Sequence, residues 1–292
     1  MPERKRVNVP KGGVAQPSRK PKLGQHFLDN HSAAVRIVEA LGDISQATVL
    51  EIGPGRGALT SLLAARGRRI IAVELDRIMA AQLRMQFGTD PNVEIIEGDI
   101  LTIKLDTVFG PKPGTLHPGS NFAPEPAHVV GNLPYYITSD ILLRLLAYHR
   151  YFSTIVLMTQ KEVADRLAAS PGSRDYGLLS ATTQLYARVE KLFTLPPAAF
   201  DPPPKVHSSV VRLTIEPQVE ALKVAEAEFI SFLKLSFGQK RKTLWNNLKT
   251  HYDPGTLKAA LAKSGVKPTV RAEALALSKS AALFRALRDG EG

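Results

Sequence analysis

Cysteine is absent from the 292 residues. Its absence excludes disulfides and any thiolate zinc site. The chain also lacks an apolar run approaching the roughly 18 residues that a membrane-spanning helix needs. The basic N-terminus has no apolar core segment of the kind a secretory signal requires. It is interrupted by proline and glycine, and it lacks the serine content and amphipathic pattern of a transit peptide. No internal repeat is apparent. These absences predict a soluble chain in a reducing, cytoplasmic compartment. Its 44 % apolar residues suffice for one large or two ordinary domains. No long apolar interface stripe is evident, which favours a monomer.

A shortage of negative charge is confined to the two ends. Residues 1–22 carry seven Lys and Arg against one acid, and residues 205–292 carry fifteen against eight. Between them, residues 23–204 carry sixteen against eighteen. A generally basic surface would be spread evenly. Basic flanks around a neutral middle suit a protein whose catalytic core is separate from its contacts to a polyanion.

Residues 1–22 have no apolar periodicity and read as a disordered basic arm. Asp29 or Asn30 can cap a helix running to Leu41, with Ala34, Ile37, Val38 and Leu41 at helical spacing. Strands and helices then alternate. The strands fall at 48–52, 69–73, 93–96, 128–130 and 154–158. Helices are expected at 58–65, at 77–86 capped by Asp76, at 138–147 capped by Thr138, at 161–168 and at 178–185. Leu192–Phe193 and Ser209–Ile215 read as late strands on an antiparallel edge. Such alternation predicts an α/β fold, a mainly parallel sheet with helices on both faces. The Pro- and Gly-rich stretch from Asp106 to Pro126 reads as a surface insertion. After Glu216 the spacing of Phe229, Ile230, Leu233, Phe237, Leu244, Leu248, Leu257 and Leu261 becomes helical. The expected organisation is an arm over 1–22, an α/β domain over 23–216 and a small all-helical domain over 217–292.

Two turns carry chemistry. Glu51-Ile52-Gly53-Pro54-Gly55-Arg56-Gly57 follows the first of these strands and opens a helix. Glycines there let backbone approach a ligand, and helix-start amides favour an anionic group. The spacing Gly53-x-Gly55-x-Gly57 differs from the dinucleotide pattern, because Ala58 replaces the third glycine. Glu74 ends the second strand, where a carboxylate can accept from both hydroxyls of a ribose. Asp99 follows the third and can accept from an adenine amine. Ribose and adenine without a pyrophosphate partner point to S-adenosylmethionine.

The second turn is Val129-Val130-Gly131-Asn132-Leu133-Pro134-Tyr135-Tyr136. Pro134 fixes its own φ and keeps Leu133 extended. A side-chain amide, a rigid carbonyl and a flat ring within four residues suit a planar group bearing an NH2, such as a nucleic-acid base. Asn132-Leu133-Pro134-Tyr135 resembles the signature of methyltransferases that modify exocyclic amines of bases.

Leu23-Gly24-Gln25-His26-Phe27-Leu28, the glycine turn, Gly98-Asp99 and the Asn132 turn occur in that order. Pro203-Pro204-Lys205-Val206-His207-Ser208-Ser209-Val210-Val211 and Phe237-Gly238-Gln239-Lys240-Arg241-Lys242-Thr243-Leu244 follow. From Leu23 almost to the C-terminus the chain resembles the small-subunit rRNA adenine dimethyltransferase family. The resemblance implies a Rossmann-like S-adenosylmethionine domain followed by a helical RNA-binding domain. It also implies N6,N6-dimethylation of two adjacent adenosines in the 3′-terminal hairpin of small-subunit rRNA, within a pre-30S particle. It implies that His26, Leu28, Gly53, Gly55, Glu74, Asp99 and Asn132 bind the cofactor. Catalysis would rest on Asn132, Leu133, Pro134 and Tyr135, with Tyr135 stacking on a flipped base and no metal required. Lys240, Arg241, Lys242, Lys249 and the arm would meet RNA phosphates. His26 stands where the family usually has asparagine, which makes its expected contact with the methionine part sensitive to pH. Three other readings remain: a resistance-type enzyme acting on large-subunit rRNA, a non-catalytic assembly factor that binds RNA, and, more distantly, an NAD oxidoreductase.

Overall fold

The computed structural model describes residues 25–110 and 125–290. The basic arm at 1–22 lies outside the described residues, as does most of the Pro- and Gly-rich insertion.

Nine strands and twelve α-helices form among the described residues. After a two-residue strand β1 (Phe27–Leu28), α1 (His31–Glu39) starts where Asn30 accepts from the Ala33 amide. Ala34, Ile37, Val38 and Leu41 are all buried, so the helical spacing of the sequence becomes a core-facing stripe. Strands β2 (Thr48–Ile52), β3 (Arg69–Glu74), β4 (Val93–Glu97), β5 (Ala127–Asn132) and β6 (Phe152–Gln160) are mutually parallel. Val49, Leu50, Ile70, Ile71, Val129 and Val130 are fully buried. Continuous apolar strands of this kind belong to a parallel sheet covered on both faces. The covering helices include α2 (Thr60–Ala64), α3 (Arg77–Phe87), α5 (Thr138–Ala147), α6 (Lys161–Leu167) and α7 (Leu178–Tyr186).

Two long strands complete the sheet, β7 (Ala187–Leu195) and β9 (Ser208–Ile215), both longer than their apolar residues suggest. The order is β4-β3-β2-β5-β6-β9-β7. Strand β9 runs antiparallel to both neighbours, so the outermost strand is β7. A two-residue strand β8 (Phe200–Asp201) pairs with β1 in a separate ladder.

Three local expectations are corrected. Thr138 is not a cap: the capping position is Ile137, and the Thr138 hydroxyl donates back to the Pro134 carbonyl (3.1 Å). The preceding turn already supplies that acceptor. Part of the segment expected to be patternless is a short helix, α4 (Leu105–Phe109), whose Leu105 is buried. The helix expected from Ala58 begins at Thr60, because residues before it are spent in the glycine turn.

From Val219 onward the chain is helical: α8 (Val219–Leu222), α9 (Glu226–Ser236), α10 (Leu244–Leu248), α11 (Pro254–Ser264) and α12 (Leu277–Arg288). Phe229, Phe232, Phe284, Leu257 and Leu261 fill its interior, which is continuous with the core beneath α7. Polar bonds tie the two parts: Tyr186 donates to Glu226 (2.6 Å), and the Gly172 amide donates to the Glu273 carbonyl (2.7 Å). No helix among the described residues is long and apolar enough to cross a membrane.

Candidate active site

Chain order reverses between β2 and β5, which lie side by side with Ile52 opposite Gly131. At such a switch point the loops leaving adjacent strands diverge and open a crevice at their carboxyl ends. The crevice brings the glycine turn and the Asn132 turn together. It is lined by Gly53, Gly55, Glu74, Asp99, Asn132, Leu133, Pro134 and Tyr135 from the expected set, and by His26. Leu28 is the exception. Its side chain is buried in the core beneath β1 and is not among those that line the crevice.

Gly55 has φ +57°, and a Cβ there would lie 2.9 Å from the Phe27 ring. The glycine is required twice, by its backbone angle and by the ring packed on it. The Arg56 guanidinium lies over that ring, 4.5 Å from its centroid, and pairs with Asp201 at 2.8 Å. The β1–β8 ladder thus holds the 26–28 segment over the glycine turn. Sequence reasoning did not single out Phe27, because the contact depends on a two-residue ladder without periodicity of its own.

Glu74 is 2 % exposed, and its carboxylate already has two partners. Oε2 accepts from the Gly55 amide (3.0 Å), while Oε1 accepts from the Asp76 amide (2.9 Å). It therefore organises both loops as well as offering its remaining lone pairs to the crevice. Asp99 accepts the Leu101 amide at Oδ1 (2.8 Å), and Oδ2 has no partner among the described residues. Beside it Leu75 and Ile100 form an apolar wall.

Asn132 donates from Nδ2 to the His26 carbonyl (2.7 Å). With its amine end anchored, the amide presents Oδ1, which has no partner among the described residues. The Leu133 amide donates to the Met158 carbonyl (3.2 Å), and the Leu133 carbonyl likewise accepts from no described donor. Two acceptors, one from a side chain and one from the main chain, are thus left free at consecutive residues. The His26 ring donates from Nδ1 to the Pro202 carbonyl (2.7 Å) and packs at 5.6 Å from the Tyr135 ring. Burial raises the Tyr135 pKa, keeping the phenol neutral.

Glu51 received no role from the sequence, although a carboxyl within an apolar strand next to a glycine turn is a usable signal. It is 1 % exposed and accepts the Thr60 hydroxyl (2.7 Å). Burial, reinforced by the negative charge of Glu74, pushes its pKa up to about 8. Glu51 therefore stays protonated at neutral pH, which limits the negative charge beneath the crevice. A folded-state pKa above the unfolded 4.5 means the native state holds the proton more tightly. The associated stability is complete below about pH 4.5 and is lost as pH rises through about 8. Glu51→Gln keeps an acceptor for Thr60 but cannot ionise. The melting temperature of the variant minus that of wild type should rise steadily between pH 5 and 8, reaching on the order of a few kcal/mol in stability. A difference flat in pH would show that Glu51 titrates normally.

Lys240, Arg241 and Lys242 occupy the turn between α9 and α10, and Lys249 follows α10. All four are exposed, and Lys240 donates to the Arg174 carbonyl (2.9 Å), a structural tie that the sequence did not reveal.

Comparison with known proteins agrees along nearly the whole chain. Residues 17–289 match the family described as ribosomal RNA adenine dimethylase. The chain is similar to the ribosomal RNA small subunit methyltransferase A of Koribacter versatilis, 58 % identical over 94 % of this chain and 97 % of the relative. The protein of the same description from Acidobacterium capsulatum is 51 % identical over 92 % of each. Among solved structures, the 23S rRNA methyltransferase ErmE is 29 % identical with a TM-score of 0.67, covering 90 % of this chain and 99 % of that one. A dimethyladenosine transferase from Plasmodium falciparum shares the fold with a TM-score of 0.71 at 24 % identity, over 91 % of this chain and 98 % of that one.

Proposed function

The chain belongs to the ribosomal RNA adenine dimethylase family, and on that basis we propose that it methylates N6 of two adjacent adenosines in the 3′-terminal hairpin of small-subunit rRNA, using S-adenosylmethionine. The observation that carries the proposal is the pair of free acceptors, Asn132 Oδ1 and the Leu133 carbonyl, at the mouth of the crevice that the glycine turn enters.

The donor fits that crevice. Glu74 retains lone pairs for ribose hydroxyls, the free Asp99 oxygen can take an adenine amine, and Leu75 and Ile100 offer flat apolar surface. His26 Nε2 is free for the amino-acid part, since Nδ1 is committed to Pro202. When bound, S-adenosylmethionine supplies a methyl group on an activated sulfonium.

The protein's own task is to prepare the nucleophile. Adenine N6 is a weak one, because its lone pair is delocalised into the ring. Accepting its two hydrogens at Asn132 Oδ1 and the Leu133 carbonyl would localise that lone pair and aim it. Tyr135 would stack on the base once it has left its RNA context. In-line displacement then needs mainly positioning, with the proton departing after transfer. A neutral monomethylated amine retains one hydrogen, so a second transfer would engage one of these two acceptors.

Arg241, Lys242 and Lys249, all exposed, would meet phosphates, and residues 217–292 would serve as the RNA-binding part. Arg241→Glu with Lys242→Glu should weaken particle binding and reduce the slope of log affinity against log salt by about 0.7–0.9 per phosphate lost. Affinity for S-adenosylmethionine should not change. An unaltered slope would remove these residues from the interface.

The reaction itself is tested by transfer of tritiated methyl from S-adenosylmethionine to immature 30S particles, with 50S particles alongside. Label recovered as N6,N6-dimethyladenosine in small-subunit rRNA is expected. Label in 50S alone would favour a large-subunit target. The 58 % likeness to a small-subunit enzyme favours the first outcome. Binding of donor without transfer to either particle would point to an assembly factor. We place the reaction in the cytoplasm with pre-30S particles and with the protein acting as a monomer.

A further inference from the structure

Tyr135 is held at its hydroxyl tip. Its phenol oxygen lies 2.5 Å from Ser208 Oγ, across 73 residues of sequence. Ser208 is fully buried and opens β9, where it pairs with Gln160 on β6 and with Leu195 on β7. Its neighbours are fixed as well. The His207 carbonyl accepts the Lys161 amide (3.0 Å), and the Ser209 hydroxyl meets that of Thr194 (2.8 Å). Paired on both sides inside the sheet, the Ser208 hydroxyl is as immobile a point as this fold offers near the crevice. Tyr135, by contrast, sits in a turn at the crevice mouth and is only partly buried. Without a tip contact its ring would retain freedom about χ1 and χ2, which base stacking would then have to remove.

We propose that Ser208 is a positioning residue for methyl transfer: from the start of β9, paired on both sides, it fixes the Tyr135 ring in the one orientation that receives the target base. The inference rests on the reading of Tyr135 as the stacking partner. Restraint comes from two directions, since the His26 ring packs on Tyr135 and is itself tied to Pro202. Ser208 does not line the crevice and would act only through the phenol. A buried serine that merely satisfied its own polarity would make the same bond, but its removal would affect folding and not turnover.

The test is a double-mutant cycle of Ser208→Ala and Tyr135→Phe, read as kcat and KM for methylation of immature 30S particles, with thermal melts of each variant. Each single change is expected to lower kcat about tenfold, the scale of a modest misplacement of a reacting group. KM for S-adenosylmethionine should stay within about twofold. The double variant should be no slower than either single one, because both changes delete the same bond. Multiplied losses, or a Ser208→Ala enzyme with wild-type kcat, would overturn the proposal. Should Ser208→Ala fail to fold, Tyr135→Phe alone decides, since it removes only the phenol oxygen: unchanged kcat would overturn the proposal. Tyr135→Ala with a 2-aminopurine base at the target position separates this from the stacking reading. If quenching of the probe on binding persists in Tyr135→Ala, stacking by Tyr135 is wrong. If quenching is lost there and the cycle is nonetheless additive, only the role of Ser208 is wrong.

Discussion

Asn132→Ala is expected to lower kcat for methyl transfer a hundredfold to a thousandfold, the usual cost of losing one preorganised polar group aimed at the reacting centre. KM for the RNA particle should change little, because the proposed phosphate contacts lie elsewhere. The change deletes two things: the free Oδ1 acceptor and the Nδ2 donor to the His26 carbonyl. Asn132→Asp separates them. A carboxylate still accepts but cannot donate to His26, so its orientation is no longer fixed. The expected order of activity is Asn above Asp above Ala. Single-turnover measurements with saturating donor read the chemical step directly. An alanine variant within threefold of wild type would mean that the Leu133 carbonyl alone prepares the amine.

Glu74→Ala carries the second large effect, and it falls on stability and cofactor affinity together. The carboxylate is buried and accepts from the Gly55 and Asp76 amides. Alanine leaves both loop amides without a protein acceptor, each costing about 1–3 kcal/mol where water cannot replace it. A loss of about 2–4 kcal/mol is expected, which for a chain of this size lowers the melting temperature by roughly 5–15 °C. Affinity for S-adenosylmethionine, measured by calorimetry, should fall about a hundredfold, since the ribose loses its acceptor and the glycine turn its anchor. Glu74→Gln should recover only part of either quantity. Its amide offers one acceptor, and its NH2 end then faces a second N–H donor. Wild-type affinity in Glu74→Ala would take the residue out of the cofactor site. An unchanged melting temperature would mean that solvent reaches both amides.

Much of this architecture is legible locally. Runs such as Thr48–Ile52 and Arg69–Glu74 are apolar because both faces of their sheet are covered, and composition alone reports that. Asn30 and Asp76 cap their helices as their side chains require. Thr138 was misread because its hydroxyl could find an acceptor within the preceding turn, and sequence does not say which partner wins. Leu28 is the one residue of the expected cofactor set that does not line the crevice, and a two-residue strand shows no alternation to say which side chain faces it.

Local sequence was enough to name the candidate groups: the glycine turn, the acids ending successive strands, the Asn-Leu-Pro-Tyr turn and the basic cluster. Each is a short-range pattern whose meaning follows from backbone angles and side-chain type. How those groups are held follows from contacts distant in sequence. The reversal of chain order between β2 and β5 sets Gly53 beside Asn132. The His26 carbonyl, 106 residues away in sequence, orients the Asn132 amide. Ser208 fixes Tyr135 across 73 residues, and burial keeps Glu51 protonated. All four depend on long-range packing, and a side chain's partner and local dielectric are properties of the folded surroundings that no sequence window contains.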